Sequence, residues 1–372
     1  MSEIDYLSEL VVADGHNDLP WQMRVHYQYD FDASGFDSGN GKLHTDGPRL
    51  SEGKVGFQFW SAFVPSHLSQ ADSVIHTLEQ IEFIHRLVER SPNFALVESA
   101  QDALQVMERG QLAGMIGVEG GHSLGGSLGV LRVFRRLGVR YLTLTHNDST
   151  EWAESATGEP VAEGLTELGV QFIHELNKLG IIVDLSHVSE KASVAALEHT
   201  TRPPILSHSN CRSLVDHPRN ARDSLIKKVA DASGVIMLTF VPAFLRQDVA
   251  DYEEELAKVK SELGFGTDFS ETSGFPSQTA AETLRGWMRR NPEPRPSIND
   301  VVAHLEHARE LVGIDHLGIG SDFDGIEQTP LGLEDVSKYP VLAETLKQKG
   351  WSDKDLHSLF YRNTLRVISE ND

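Results

Sequence analysis

The chain has 372 residues, 40% hydrophobic and 24% charged, enough for one large barrel or two ordinary domains with a sizeable core. With 33 basic against 55 acidic residues its formal net charge is −22, which argues against nucleic acid and anionic membrane as partners. A single cysteine rules out an intrachain disulfide, and no run approaches the ~18 apolar residues of a membrane span.

Residues 1–12 lack the basic and apolar regions of a secretory signal, and the tail is polar, so the expected location is the cytoplasm. The first apolar run, 10–13, opens into Asp14-Gly15-His16-Asn17-Asp18, and the second covers 55–64. A helical stripe over 74–90 aligns Ile75, Leu78, Ile81, Ile84 and Leu87. A second helix is predicted at 100–109, and the run 112–118 then ends at Glu119. Beyond the helix at 128–137, the run 139–145 ends at His146. The helix at 165–179 stops at Gly180, and the run 180–185 leads to Ser186-His187. After the helix at 189–199, the short run 204–206 leads to Ser207-His208. A helix at 222–233, a run at 234–241 and a helix at 297–312 precede the last run, 316–320, which ends at Ser321-Asp322. Helices at 341–350 and 352–369 complete the series.

Alternating strands and helices point to a parallel α/β architecture. Functional groups at the ends of successive strands are what a (β/α)₈ TIM-type barrel needs to build one site at its top. The expectation is one barrel domain over 1–372, with insertions at 20–53 and 243–296. The first reads as a long loop without clear period. The second holds a charged helical piece at 251–263, then loop text, then a proline-rich stretch. Both follow strands, so both could wall or cover the site.

On a strand, residues i and i+2 share a side, so His16 and Asp18 can aim into one site with Asn17 facing away. Glu119 ends an apolar strand, where burying a lone carboxylate is costly unless it is paired or metal-bound. His187 and His208 stand in matched Leu-Ser-His contexts on consecutive strands. Imidazole and carboxylate suit zinc and similar ions. His16, Asp18, Glu119, His187 and His208 are therefore the candidate metal ligands, leaving His146 and Asp322 for proton and charge work.

A competing motif, Gly121-His122-Ser123-Leu124-Gly125, fits the G-x-S-x-G elbow of serine hydrolases. The best remaining histidine for it, His357, falls in a helical stripe. Cys211 reads as a small loop residue, and His304 and His307 as a solvated helix face.

Together, Asp14 to Asp18, Glu119 to His122, Leu144 to Asn147, Asp184 to His187, Ser207 to Ser209 and Gly320 to Gly325 resemble the membrane (renal) dipeptidase family of zinc peptidases, in the amidohydrolase superfamily. The resemblance implies two zinc ions per chain. His16 and Asp18 would hold one, His187 and His208 the other, and Glu119 would bridge them. It implies that His146 polarises the scissile carbonyl, and that Asp322 moves the proton from the attacking hydroxide to the leaving amine. Arg219, in His217-Pro218-Arg219-Asn220, matches a family arginine that contacts substrate at the free carboxylate. The expected partner is a dipeptide, and the family commonly accepts a D-residue at its C-terminal position. Mammalian members are secreted and lipid-anchored, and that location is not transferred. Oligomeric state stays open, a homodimer included. Two other functions remain: another amidohydrolase reaction, such as lactone or N-acyl-amino-acid hydrolysis, or a non-catalytic metal-stabilised binding protein. Intact His146 and Asp322 argue against the last.

Overall fold

The computed structural model describes residues 9–39, 41–161, 164–265 and 277–372. Eight parallel strands close into a barrel: β1 (Val12–Asn17), β2 (Val55–Phe63), β4 (Leu112–Glu119), β5 (Val139–Thr143), β6 (Ile182–Asp184), β7 (Ile205–Leu206), β8 (Val235–Leu238) and β9 (Leu317–Ile319). The β2–β4 pairing and the β1–β9 pairing complete the ring. A further short strand, β3 (Phe94–Leu96), lies on the lower part of β4, against residues 112–114, below where β5 joins at 116–119. β3 is the one strand missing from the sequence reading, because three half-buried residues carry no period.

Strand alternation divides the core in two. Ala13, Phe57, Phe59, Met115, Tyr141, Ile205 and Met237 fill the barrel, with Tyr361, Leu365 and Ile368 of the C-terminal segment closing its lower end. Val12, Trp60, Ile116, Leu142 and Ile236 face the surrounding helices. Those helices fall where the stripes predict, for example Gln70–Arg90, Glu167–Leu179 and Ile298–Val312. Caps set their starts: Ser69 accepts from Asp72 N, and Thr166 from Gly169 N. The predicted helix at 352–369 is a helix Asp353–His357, a π-turn over 358–362 and a helix Asn363–Asn371.

The insertion at 20–53 is more ordered than a loop. It holds helices Leu19–Tyr27, Phe31–Ser34 and Gly47–Glu52. Two of these are a turn or so long and are set by local caps, Asp30 and Asp46, rather than by an apolar stripe. The second insertion carries helices Pro242–Leu245, Gln247–Glu262 and Gln278–Arg290. Much of its predicted loop text lies outside the described residues. The first insertion is tied to the turn after β9, where Gln22 Nε2 donates to Asp324 O and the His44 N–H donates to Asp324 Oδ1. The second is tied to the loop after β7, where Asn220 Nδ2 donates to Phe244 O. Among the described residues no helix is long and apolar enough to cross a membrane.

His304 corrects an expectation. It is 1% exposed, and its Nδ1 accepts from the Cys211 N–H at 3.1 Å. Its neighbour His307 is half-buried and pairs with Asp223 at 3.0 Å. The helix has no solvated histidine face, because the β7 loop packs over it.

Candidate active site

All the predicted ligands meet at the upper end of the barrel. His16 lies on β1 itself, with Nε2 3.2 Å from Asp18 Oδ2 and 3.8 Å from Asp322 Oδ1. Asn17 turns away, as alternation demands, and donates to Thr45 Oγ1. Glu119, the last residue of β4, stands in the middle. Its Oε1 is 3.0 Å from His187 Nε2 and 3.3 Å from His208 Nε2, while its Oε2 is 3.6 Å from His16 Nε2. His146 follows β5, with Nε2 3.8 Å from Glu119 Oε1 and its ring between those of Phe63 and His187. Two of these groups sit on left-handed backbone, His187 at φ 65° and Asp322 at φ 66°. Such φ is uncommon for non-glycine residues and recurs at functional sites.

The donor set fits a divalent metal. Asp18 and Glu119 are each 4% exposed, and their ion-pair partners are histidines, not lysine or arginine. The buried atoms His16 Nε2 and Asp18 Oδ1 have no hydrogen-bond partner, and His187 Nε2 faces His208 Nε2 at 3.0 Å. Nitrogen and carboxylate donors converging on one point are the chemistry of a zinc site. Three overlapping sets qualify: His16, Glu119 and His208; Glu119, His146 and His187; and His16, Asp18 and Asp322.

Burial dominates the local electrostatics. It pushes His146 down to about 4 and holds His187 and His208 well below the usual imidazole range. Neutral imidazole is the form that ligates metal. Burial, reinforced by Asp18 and Glu119, raises the Asp322 carboxyl well above its usual range. Arg219 is 6% exposed and lowered by burial to about 10. It donates to the His208 carbonyl at 3.4 Å and lies 5.3 Å over the Phe244 ring. A surface salt bridge is not its role, since Asp216 pairs with Arg212 and Asp223 with His307.

Sequence reasoning missed the supports. Asp184 Oδ1 accepts from Ser186 N and Ser207 N, and its Oδ2 accepts from Thr143 Oγ1 and Ser207 Oγ. Asp14 does the same work across the closure, accepting from His16 N, Ser321 N, Ser321 Oγ and Tyr339 OH. Asp14, within β1, and Asp184, the last residue of β6, stand two and three residues before a candidate ligand histidine, a spacing that could have flagged them. Ser123 Oγ, by contrast, is buried without a partner, and His122 bonds the Val64 carbonyl. The serine-hydrolase reading therefore has no histidine.

Residues 3–372 match the family model for membrane dipeptidase, peptidase family M19. The chain is 34% identical to the dipeptidase tcpJ of Claviceps purpurea over 367 residues, 96% of this chain and 76% of that protein. It is 36% identical to dipeptidase 3 of Mus musculus over 372 residues, 98% of this chain and 65% of that one. Among solved structures, it superposes with TM-score 0.84 and 23% identity on the probable dipeptidase PvdM of Pseudomonas aeruginosa, covering 98% of this chain and 96% of that one. A metallopeptidase of Rhodobacter sphaeroides bound to a phosphinate mimic of L-Ala-D-Ala aligns with TM-score 0.80 and 22% identity, covering 98% and 99%. Those likenesses confirm the barrel, and the family match over nearly the whole length settles kinship. This chain belongs to the membrane dipeptidase family of metal-dependent peptidases, family M19.

Proposed function

We propose that the chain is a binuclear zinc dipeptidase that cleaves the peptide bond of dipeptides and recognises their free C-terminal carboxylate through Arg219. The observation that carries the metal count is the split of Glu119, whose Oε1 faces His187 and His208 while its Oε2 faces His16. A carboxylate so placed serves two positions, one completed by His16 and Asp18, the other by His187 and His208. Zinc bound there would lower the pKa of a water and polarise the scissile carbonyl.

The chain's own groups do the rest. The His146 Nε2–H donates to the carbonyl oxygen as charge builds on it. Asp322, as the carboxylate, accepts the water's proton and returns it to the leaving amine; the burial that raises its pKa makes it the stronger base for that step. Arg219 presents a planar fork to the substrate carboxylate. A buried guanidinium with no carboxylate salt bridge among the described residues suits an anion that arrives with the substrate.

Turnover of a panel tests this: L,L-dipeptides, dipeptides with a D-residue at the C-terminal position, lactones and N-acyl amino acids. Dipeptides should turn over, lose activity on chelation and regain it with zinc. Turnover of lactones or N-acyl amino acids alone would favour another amidohydrolase reaction. Zinc binding without turnover of any member would favour a binding protein. Activity unchanged after complete metal removal would refute the metal chemistry.

A further inference from the structure

The three histidines proposed as ligands differ in what stands behind the ring nitrogen that faces away from the site. His187 Nδ1 has no partner. His208 Nδ1 meets Ser207 Oγ at 2.8 Å, and that hydroxyl donates onward to Asp184 Oδ2 at 2.6 Å. Ser207 has given its one proton to a carboxylate, so it can only accept from His208. His208 is thereby held as the Nδ1–H form with its Nε2 lone pair toward Glu119. His16 Nδ1 meets the hydroxyl of Tyr141 at 2.8 Å, with both residues fully buried.

A tyrosine hydroxyl differs from the carboxylate or carbonyl that usually backs a metal-ligating histidine. Those groups only accept, so they fix one tautomer. A hydroxyl both donates and accepts. With metal bound at Nε2, the ring carries its proton on Nδ1 and donates to the Tyr141 oxygen. His16 Nε2 faces Asp18 Oδ2 at 3.2 Å and Glu119 Oε2 at 3.6 Å, so the contact of Nδ1 with Tyr141 fixes which ring nitrogen enters the site.

The barrel makes room for this arrangement. A Cβ on Gly117 would lie 2.0 Å from Tyr141 Cζ, so the glycine in β4 is what admits the ring. The phenol packs against Phe59 at 5.0 Å.

We propose that Tyr141 is a positioning residue for His16, whose hydroxyl anchors Nδ1 and so holds Nε2 toward the carboxylates of the site. This rests on the zinc reading above. The test is zinc binding to the stripped protein, measured by competition with a chromophoric chelator, for wild type and Tyr141→Phe. Loss of such a support typically weakens metal affinity ~10–100-fold, and that loss is expected at one of the two positions. Histidine ¹⁵N spectra of the zinc-loaded proteins, assigned with His16→Asn, should show a His16 Nδ1–H that is hydrogen-bonded in wild type and loses that bond in Tyr141→Phe, a signature that packing alone would not move. Wild-type affinity in Tyr141→Phe, or a His16 Nδ1–H signal unchanged by the substitution, would overturn the proposal while leaving the dipeptidase reading intact. A wild-type protein that binds no zinc would overturn both.

Discussion

Single substitutions separate the roles proposed for Asp322 and Arg219. Asp322→Asn removes a proton acceptor while keeping the shape, so kcat should fall ~10²–10⁴-fold with bound zinc, measured by elemental analysis, unchanged. A normal kcat would remove Asp322 from the chemistry. Arg219→Met should lower kcat/KM on dipeptides on the order of 10²-fold, since a charge-assisted hydrogen bond contributes about 1.5–3 kcal/mol, and Arg219→Lys should fall between. Equal rates for all three proteins would return Arg219 to a structural role. Cys211 gives a negative control. Burial pushes its thiol up to about 12, so at pH 8 it stays protonated and a disulfide reagent should modify it only after denaturation. Arg219 came only with the family resemblance, whereas the candidate ligands, together with His146 and Asp322, were legible in the sequence because each lies at or just past the end of an apolar run. Tyr141, Asp14 and Asp184 were not, because a polar group whose partners come from neighbouring strands reads locally as part of an ordinary strand.

The turn after β9 shows how an element presents a side chain. Asp322 and Asp324 both take left-handed backbone, at φ 66° and 65°, and His44 and Gln22 of the first insertion bind the turn through Asp324. Gly325 completes it, for a Cβ there would lie 2.4 Å from both Asp18 Oδ2 and Asp322 Oδ1. Gly325→Ala should therefore displace two carboxylates at once, costing both kcat and one equivalent of zinc, with secondary structure by circular dichroism retained. Wild-type zinc content and kcat would mean that the turn yields without disturbing the site. Long amphipathic helices were legible from their stripes. The short helices at 20–53 were not, since caps and packing onto this turn hold them rather than any period of their own.

At the scale of the whole molecule, the barrel gathers groups more than 300 residues apart in sequence, from His16 to Asp322, onto one rim. That gathering was legible because a parallel barrel sends every strand's C-terminal end to the same face. The architecture also concentrates negative charge, with Asp18, Glu119 and Asp322 all around the His16 ring. Metal binding should offset that repulsion and stabilise the fold, by about 2.7 kcal/mol when free zinc is a hundredfold above its dissociation constant. Calorimetry should then find a lower Tm after chelation, restored by zinc; an unchanged Tm would contradict a metal centre at the core of the barrel. The claim on which the functional account turns is that the site reads the carboxylate next to the bond it cuts. The direct measurement is kcat/KM of the zinc-loaded protein on a dipeptide and on the same dipeptide amidated at its C-terminus, a change that leaves the protein untouched. The account predicts rapid cleavage of the free acid and little or none of the amide; equal rates on the two would contradict it.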